Sequence, residues 1–361
     1  MIQNQVKRDI ITTEIGQTTK MGVEKSDEVE AHIVKVLTEN YKYPIESHAR
    51  ESVSNHWDAN FMVEKPNNPI FVKIYRDETN QWVFETTDEA LGMDENDFDA
   101  YYMKIGASNK RNNPFVIGGK GCGAKAILSY TDSYEVITRK NGKEYKFLVF
   151  KGDILPEKLK IYEKETSEPN GVIIRVKIKR WDESNFKQAC FKQLCYFPTV
   201  VFQFEGDNTD YLSKKVFEND LFKWSELYPS NELHISLGLT HYELDWKVLG
   251  ISKINIPVAI KIPLDSGIDV FFNRESIIYN EFAKNYIKDK IKQISEYFVN
   301  KYNESVLEEQ ELLKVFKDID NDTKIVKLAD KEFVINSLLQ YSSVKPKELK
   351  IKGISIETPT Y

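Results

Sequence analysis

Two hydrophobic rhythms alternate along the chain. A helical stripe comes first: Val29, Ile33, Val36 and Leu37 follow Ser26 and Asp27, which can cap, with Glu28 and Glu30 in the next turn. A second helix is expected over about 44–58, carrying Ile45, Ala49, Val53 and Trp57 on overlapping faces, until Pro66 and Pro69 break the pattern. β-Branched and aromatic residues then mark strands at 70–75 and 82–86. A turn with short helical pieces fills 88–111, and a Gly-rich stretch at 118–123 opens into AKAILSY, read as a short helix. Strands at 134–138 and 145–150 flank Asn141-Gly142, a strong hairpin signal. Another strand falls at 172–178 and a helix at 183–195.

After Phe204 the texture changes. Runs at 233–239, 241–246, 253–262 and 268–272 read as strands, and a long helix is expected from near Arg274 to about Tyr302. The last sixty residues carry a charged helical pattern and a short tail. Residues 1–24 are polar and Thr-rich without helical periodicity, and read as an extended arm. Neither repeats nor low-complexity segments interrupt the chain.

Composition narrows the classes. At 361 residues the chain has room for two or three domains, and 41% hydrophobic with 29% charged residues lets each bury a core. A net charge of −6 argues against a protein whose main task is to neutralise nucleic-acid phosphates. Three unevenly placed cysteines, Cys122, Cys190 and Cys195, fit free thiols in a reducing compartment. The first residues lack the apolar core of a secretion signal, and no stretch approaches the roughly 20 apolar residues of a membrane helix. The expectation is a soluble, cytoplasmic protein without a membrane span.

Three segments carry candidate chemistry. Glu51, Asn55 and Asp58 are spaced four and then three residues apart, which places them on one helical stripe. The carboxylate of Glu51 suits orienting or deprotonating a water, and the amide oxygen of Asn55 suits Mg²⁺; spacing alone is better explained by a solvated helix face. Asp88 at a strand end, followed by Gly92 and Met93, can accept from a buried amino group such as that of adenine, although the same residues make an ordinary Asp/Gly turn. The third segment is Gly118-Gly119-Lys120-Gly121-Cys122-Gly123-Ala124-Lys125, whose G-x-x-G-x-G order leads into a helix and so aims free N–H groups at one anion site. It lacks the Gly-Lys-Ser/Thr ending of a Walker A loop, and no convincing strand precedes it as a Rossmann fingerprint requires. Upstream, Gly106, Ser108, Lys110 and Arg111 form a polar segment suited to a lid.

The order of these pieces resembles the GHKL (Bergerat-fold) ATPases, which include DNA gyrase B, MutL, the ninety-kilodalton heat-shock chaperones and the histidine kinases. The E-x-x-x-N-x-x-D-A box is matched by Glu51, Asn55, Asp58 and Ala59; the D-x-G-x-G box by Asp88 and Gly92; the G-x-x-G-x-G box by Gly118, Gly121 and Gly123. Within the superfamily the chain looks most like rIIA-like proteins of tailed phages, through DIITTE at 9–14, IGG at 117–119, SYTDS at 129–133 and Asn273-Arg274-Glu275. Ala90 stands where the family prefers Gly, and Val172 follows Gly171 where many members have Thr.

The resemblance implies an α+β fold: a two-layer α/β sandwich of Bergerat type, then a smaller β-rich transducer-like domain and a C-terminal helical tail. The expected divisions are 1–24, 25–205, 206–302 and 303–361. It implies Glu51 as general base, Asn55 as the Mg²⁺ ligand, Asp88 on the adenine amine, and Gly92 and Met93 under the ring. The glycine loop, with Gly119, Lys120, Cys122 and Lys125, would wrap the phosphates of ATP, with Ser108 and Lys110 in the lid. Arg274 is the candidate cation for the γ-phosphate, the bland reading being a surface Arg paired with Glu275; His56, off the Glu51 face, reads as structural. Hydrolysis driving lid closure or dimerisation through the N-terminal arm, onto an unidentified protein partner, is the leading expectation; a non-hydrolysing ATP-gated module is the other. A protein-phosphorylating kinase is disfavoured because His48 and His56 lie inside the motif helix itself.

Overall fold

A computed structural model of the chain describes residues 41–104, 117, 126–153, 155–207, 211–212, 216–312, 323–329 and 331–347. The arm, the helix expected after Ser26, the lid with Ser108 and Lys110, and the glycine loop from Gly118 to Lys125 lie outside them.

Helix α1 spans Pro44–Met62, one turn longer than its stripe suggested. Proline at its first position suits the helix start, where an N–H has no intrahelical partner. Strands β1 (Ile70–Arg76) and β2 (Trp82–Asp88) pair antiparallel. β3 (Ser133–Lys140) and β4 (Lys143–Lys151) form the expected hairpin, with Asn141 and Gly142 at φ of 53° and 78°, both left-handed as a type I′ turn requires. β5 (Pro156–Glu165), β6 (Gly171–Lys177), helix α2 (Glu183–Leu194), β7 (Val200–Phe204) and the two-residue β8 (Tyr211–Leu212) complete this part. The sheet order is β5-β4-β3-β6-β2-β1-β7-β8, antiparallel except where β7 runs parallel beside β1. Helices α1 and α2 pack together, and α1 lies on β1 and β2. One core joins Ala49, Val53 and Trp57 of α1 with Ile74, Phe84, Phe186 and Phe202. The result is an α+β fold with a large mixed sheet under helices.

A second core gathers around a five-stranded sheet. Its members are β9 (Val216–Glu218), β10 (Phe222–Ser225), β11 (His234–Leu237), β12 (Thr240–Tyr242) and β13 (Ala259–Ile262), ordered β12-β11-β13-β10-β9. Helix α3 (Glu281–Leu312) covers it through Ile287, Ile291, Ile294 and Phe298.

Several expectations shift here. The run at 253–262 gives only β13, since Pro257 has no N–H to donate to a ladder. The run at 268–272 is a single bridge, Val270 to Ile277, closing a bend. Helix α3 starts at Glu281, not near Arg274, because Asn280 supplies the cap: its side-chain oxygen accepts the Ala283 N–H at 2.8 Å. Past Leu312 the described residues are not helical in the expected way. They form a hairpin, β14 (Ile325–Leu328) and β15 (Lys331–Val334), and a 3-10 turn at Asn336–Tyr341, seating Val326, Phe333, Ile335 and Leu338 in the second core. Of the short helix expected after the glycine loop, the described residues show a helical Ala126 followed by a 3-10 turn, Ile127–Ser129.

Candidate functional site

Helix α1 buries far more polar side chains than a helix under a sheet needs. Arg50, Glu51, His56, Asp58 and Asn60 are all buried, alongside apolar Ala49 and Val53. Desolvating such groups costs free energy unless hydrogen bonds replace water, so their partners define the site.

Glu51 is held at both oxygens. Arg274 Nη1 donates to Oε2 at 2.9 Å, and Arg50 Nε donates to Oε1 at 3.1 Å. Arg50 also reaches Ser47 Oγ at 3.3 Å and the Asn273 carbonyl at 3.2 Å. Arg274 therefore is not a surface residue paired with Glu275: it is 8% exposed and bound to the candidate base. Burial is the strongest influence on its guanidinium and works against the charge, but Glu51, then Tyr242 and Asp58, hold it above the usual guanidinium range. Its φ of +56° is a left-handed conformation that costs a non-glycine residue about 1–2 kcal/mol. The bend is fixed by Arg274 N–H to the Phe271 carbonyl at 2.9 Å and Phe271 N–H to the Ser276 carbonyl at 3.0 Å.

Asp58, the third member of the stripe, turns to the backbone. Its Oδ1 accepts the Ile117 N–H at 2.7 Å, at the residue just before the glycine loop. Thus it anchors the entry to that loop rather than offering this oxygen to a ligand. Asn55 is partly exposed, and its side chain makes no hydrogen bond among the described residues, which leaves an amide oxygen for a cation.

Asp88 ends β2 and is 3% exposed. Its Oδ1 accepts the Ala90 N–H at 2.9 Å, and Oδ2 is hydrogen-bonded by His56 Nδ1. A carboxylate only accepts, so Nδ1 carries the proton, while Nε2 lies 2.9 Å from the Thr86 hydroxyl. His56 is thus structural, yet it holds the candidate adenine-binding carboxylate from across the helix. Ala90 is tolerated in place of glycine because its φ is not left-handed. Gly92 does need to be glycine: φ is +63°, and a Cβ there would stand 1.8 Å from the Arg139 carbonyl oxygen. Met93 is fixed by Thr138, 2.7 Å from its N–H and 3.0 Å from its carbonyl. Gly171, at the start of β6, would place a Cβ 2.1 Å from the Asp88 carbonyl oxygen.

The fold therefore brings Glu51, Asn55 and Asp58 along one helix, Asp88 to that helix through His56, and Arg274 to Glu51 from the second core. Arg50, Thr86, Thr138 and Gly171 belong to this arrangement. Arg50, Thr86 and Thr138 were not singled out in the sequence, and Gly171 was named only as the residue before Val172.

Residues 43–178 match the family model described as Histidine kinase-, DNA gyrase B-, and HSP90-like ATPase. The match takes in the motif helix, Asp88, Gly92 and the glycine loop, and covers a little over a third of the chain. It supports the GHKL superfamily and ATP binding by a GHKL-type ATPase domain; it does not reach the narrower likeness to rIIA-like proteins. Comparison with curated proteins gave no match. Among the described residues no helix is long and apolar enough to cross a membrane.

Proposed function

We propose that the protein binds Mg·ATP and hydrolyses it, with Glu51 as general base and Arg274 as the cation for the γ-phosphate. The observation that carries this reading is the meeting of Glu51 and Arg274, 223 residues apart, in one buried ion pair on the motif helix. Asp88, held by His56, would accept from the adenine amine, and Met93, fixed by Thr138, would lie under the ring with Gly92. The loop glycines Gly118, Gly119, Gly121 and Gly123, with Lys120, Cys122 and Lys125, would wrap the phosphates, and Ser108 and Lys110 would close over them. Among the described residues no three His, Cys, Asp or Glu side chains are grouped to hold a metal. A magnesium ion would thus rely on Asn55, the nucleotide and water for its oxygens, and would neutralise phosphate charge there. Catalysis would consist of positioning and electrostatics: Glu51 takes the proton of the attacking water, and Arg274 steadies negative charge on the γ-phosphate.

The experiment is Glu51→Gln, preferred to alanine because removing the side-chain oxygens altogether would leave the buried Arg274 without its ion-pair partner, at about 3–5 kcal/mol. Expected are unchanged calorimetric binding of Mg·ATP and loss of phosphate release by two or more orders of magnitude. No nucleotide binding by the wild type, or full turnover in the variant, removes the assignment.

A non-hydrolysing ATP-gated module is the second reading, favoured by the two guanidinium groups that occupy both Glu51 oxygens. Wild-type binding without phosphate release would select it. The division at 1–24, 25–205, 206–302 and 303–361, dimerisation through the N-terminal arm and action on a protein partner belong to the same proposal. The likeness to rIIA-like phage proteins, and with it action in a host cytoplasm, rests on the short phrases at 9–14, 117–119, 129–133 and 273–275.

A further inference from the structure

Helix α1 has no capping side chain of its own. Tyr43, at its N-cap, offers none, and the first residues are Pro44 and Ile45. The missing acceptor comes from the second core. Glu275 Oε1 accepts the Tyr43 N–H at 2.8 Å and the Ser47 hydroxyl at 3.0 Å, while Oε2 accepts the Lys42 N–H at 2.9 Å. Oε2 also accepts from Asn273 Nδ2 at 3.1 Å, which ties the carboxylate into its own bend. A negative charge at that end of a helix is further favoured by the helix dipole.

The neighbouring residue is Arg274, whose guanidinium reaches the same helix nearly two turns further along, at Glu51. Asn273 completes the grip, its carbonyl accepting from Arg50. Three consecutive residues therefore hold α1 at Ser47, Arg50 and Glu51, and a left-handed Arg274 is what lets adjacent side chains diverge along the helix.

We propose that Glu275 is a positioning residue: by gripping the start of α1 it sets the bend at Asn273–Glu275 so that Arg274 enters the nucleotide site. The proposal rests on the reading of Arg274 as the γ-phosphate cation. Glu275 itself touches no reacting atom; it acts through Arg274. Its loss would leave Arg274 attached to a bend without its outer anchor, and the site would lose its means of telling a triphosphate from a diphosphate.

The test is equilibrium binding, so it needs no turnover. Affinities for Mg·ADP and for a non-hydrolysable Mg·ATP analogue are measured by calorimetry on the full chain, for wild type, Arg274→Ala, Glu275→Ala, Glu275→Gln and the Arg274→Ala/Glu275→Ala double variant. Expected is a wild-type preference for the triphosphate that falls about tenfold in each alanine variant, as suits one charge-assisted contact. Affinity for Mg·ADP should stay within twofold, which also verifies folding. The double variant should fall no further than Arg274→Ala alone, because the two act in series, and Glu275→Gln, which keeps one acceptor oxygen, should recover part of the preference. An unchanged preference in Glu275→Ala, or additive losses in the double variant, overturns the positioning role while leaving nucleotide binding intact. A wild type that binds neither nucleotide overturns the functional reading itself, and the inference with it.

Discussion

Mild acid should destabilise this protein, and the effect follows from three buried histidines. His48 lies between Phe84 and Phe186, with ring centroids 5.0 and 6.0 Å away. His234 stacks on Tyr228 at 3.8 Å and accepts or shares the Tyr196 hydroxyl proton at 2.7 Å, while its other nitrogen faces the Glu232 carbonyl at 2.9 Å. His241 sits 5.0 Å from His234 between Gln193 and Tyr228. Burial pushes His48 and His234 down from 6.5 to about 3, and drives His241 well below 6.5, where competition with His234 for a proton and the nearby Lys192 and Arg50 cations add to it.

The sign is fixed by which state binds the proton. Each folded histidine stays neutral while its unfolded counterpart protonates below 6.5, so stability is complete above that value and falls as pH drops towards 3. Between about pH 7 and pH 5 His48 and His234 each remove ~2 kcal/mol, or ~4 kcal/mol together, and His241 acts in the same direction. That is a large share of the whole stability of an ordinary domain, about 5–15 kcal/mol. The window lies above the ordinary carboxylate range, so histidines dominate it. Guanidinium denaturation at a series of pH values, read by tryptophan fluorescence, measures the slope; Trp57 reports on the first core and Trp224 on the second. The double variant His234→Gln/His241→Gln should lose at least half of it. Stability that is level from pH 7 to 5, or resonances of His48 or His234 in the folded protein that titrate near 6.5, would falsify the argument.

Other outcomes follow from single contacts. Gly92→Ala should cost about 2–4 kcal/mol, from a left-handed φ and a collision with the Arg139 carbonyl, and show as a lower denaturation midpoint; an unchanged midpoint counts against the turn geometry. His56→Ala should cost about 1–3 kcal/mol by leaving Asp88 without its ring partner, and should weaken calorimetric binding of Mg·ADP about tenfold. If affinity holds while stability falls, His56 serves packing alone. Cys190 and Cys195 are buried and their thiols pushed upward by burial, so both should resist alkylation near neutral pH until the protein unfolds. Rapid labelling of either in the native protein would contradict their placement.

Much of the first core was legible because its strands are branched and aromatic and its hairpin carries Asn141-Gly142. Three of its strands escaped, the shortest being the two-residue β8. β5 is an edge strand whose lysines and glutamates blunt its alternation, as exposed edges commonly require. β7 is a five-residue apolar run directly after α2 and Pro198, too short to declare its type. For the site, the spacing of Glu51, Asn55 and Asp58 correctly named a helix face, since periodicity is local. It did not show that Asp58 would spend an oxygen on Ile117, nor that His56 would cross to Asp88, because those partners stand 59 and 32 residues away. Arg274 was noticed for its place before a helix; the helix begins at Glu281, seven residues further on, and the ion pair with Glu51 exists only because the second core folds back on α1.

The parallel seam between β1 and β7 has a consequence for how the chain is made. β1 is complete by residue 76, but the neighbour that covers its outer edge is not synthesised until Val200–Phe204. While the ribosome adds the intervening stretch, an apolar strand end stays open to any passing polypeptide. A recombinant fragment cut at residue 178, where the family match stops, would carry that sticky seam permanently, and only fragments extending past Phe204 should remain dispersed at high concentration.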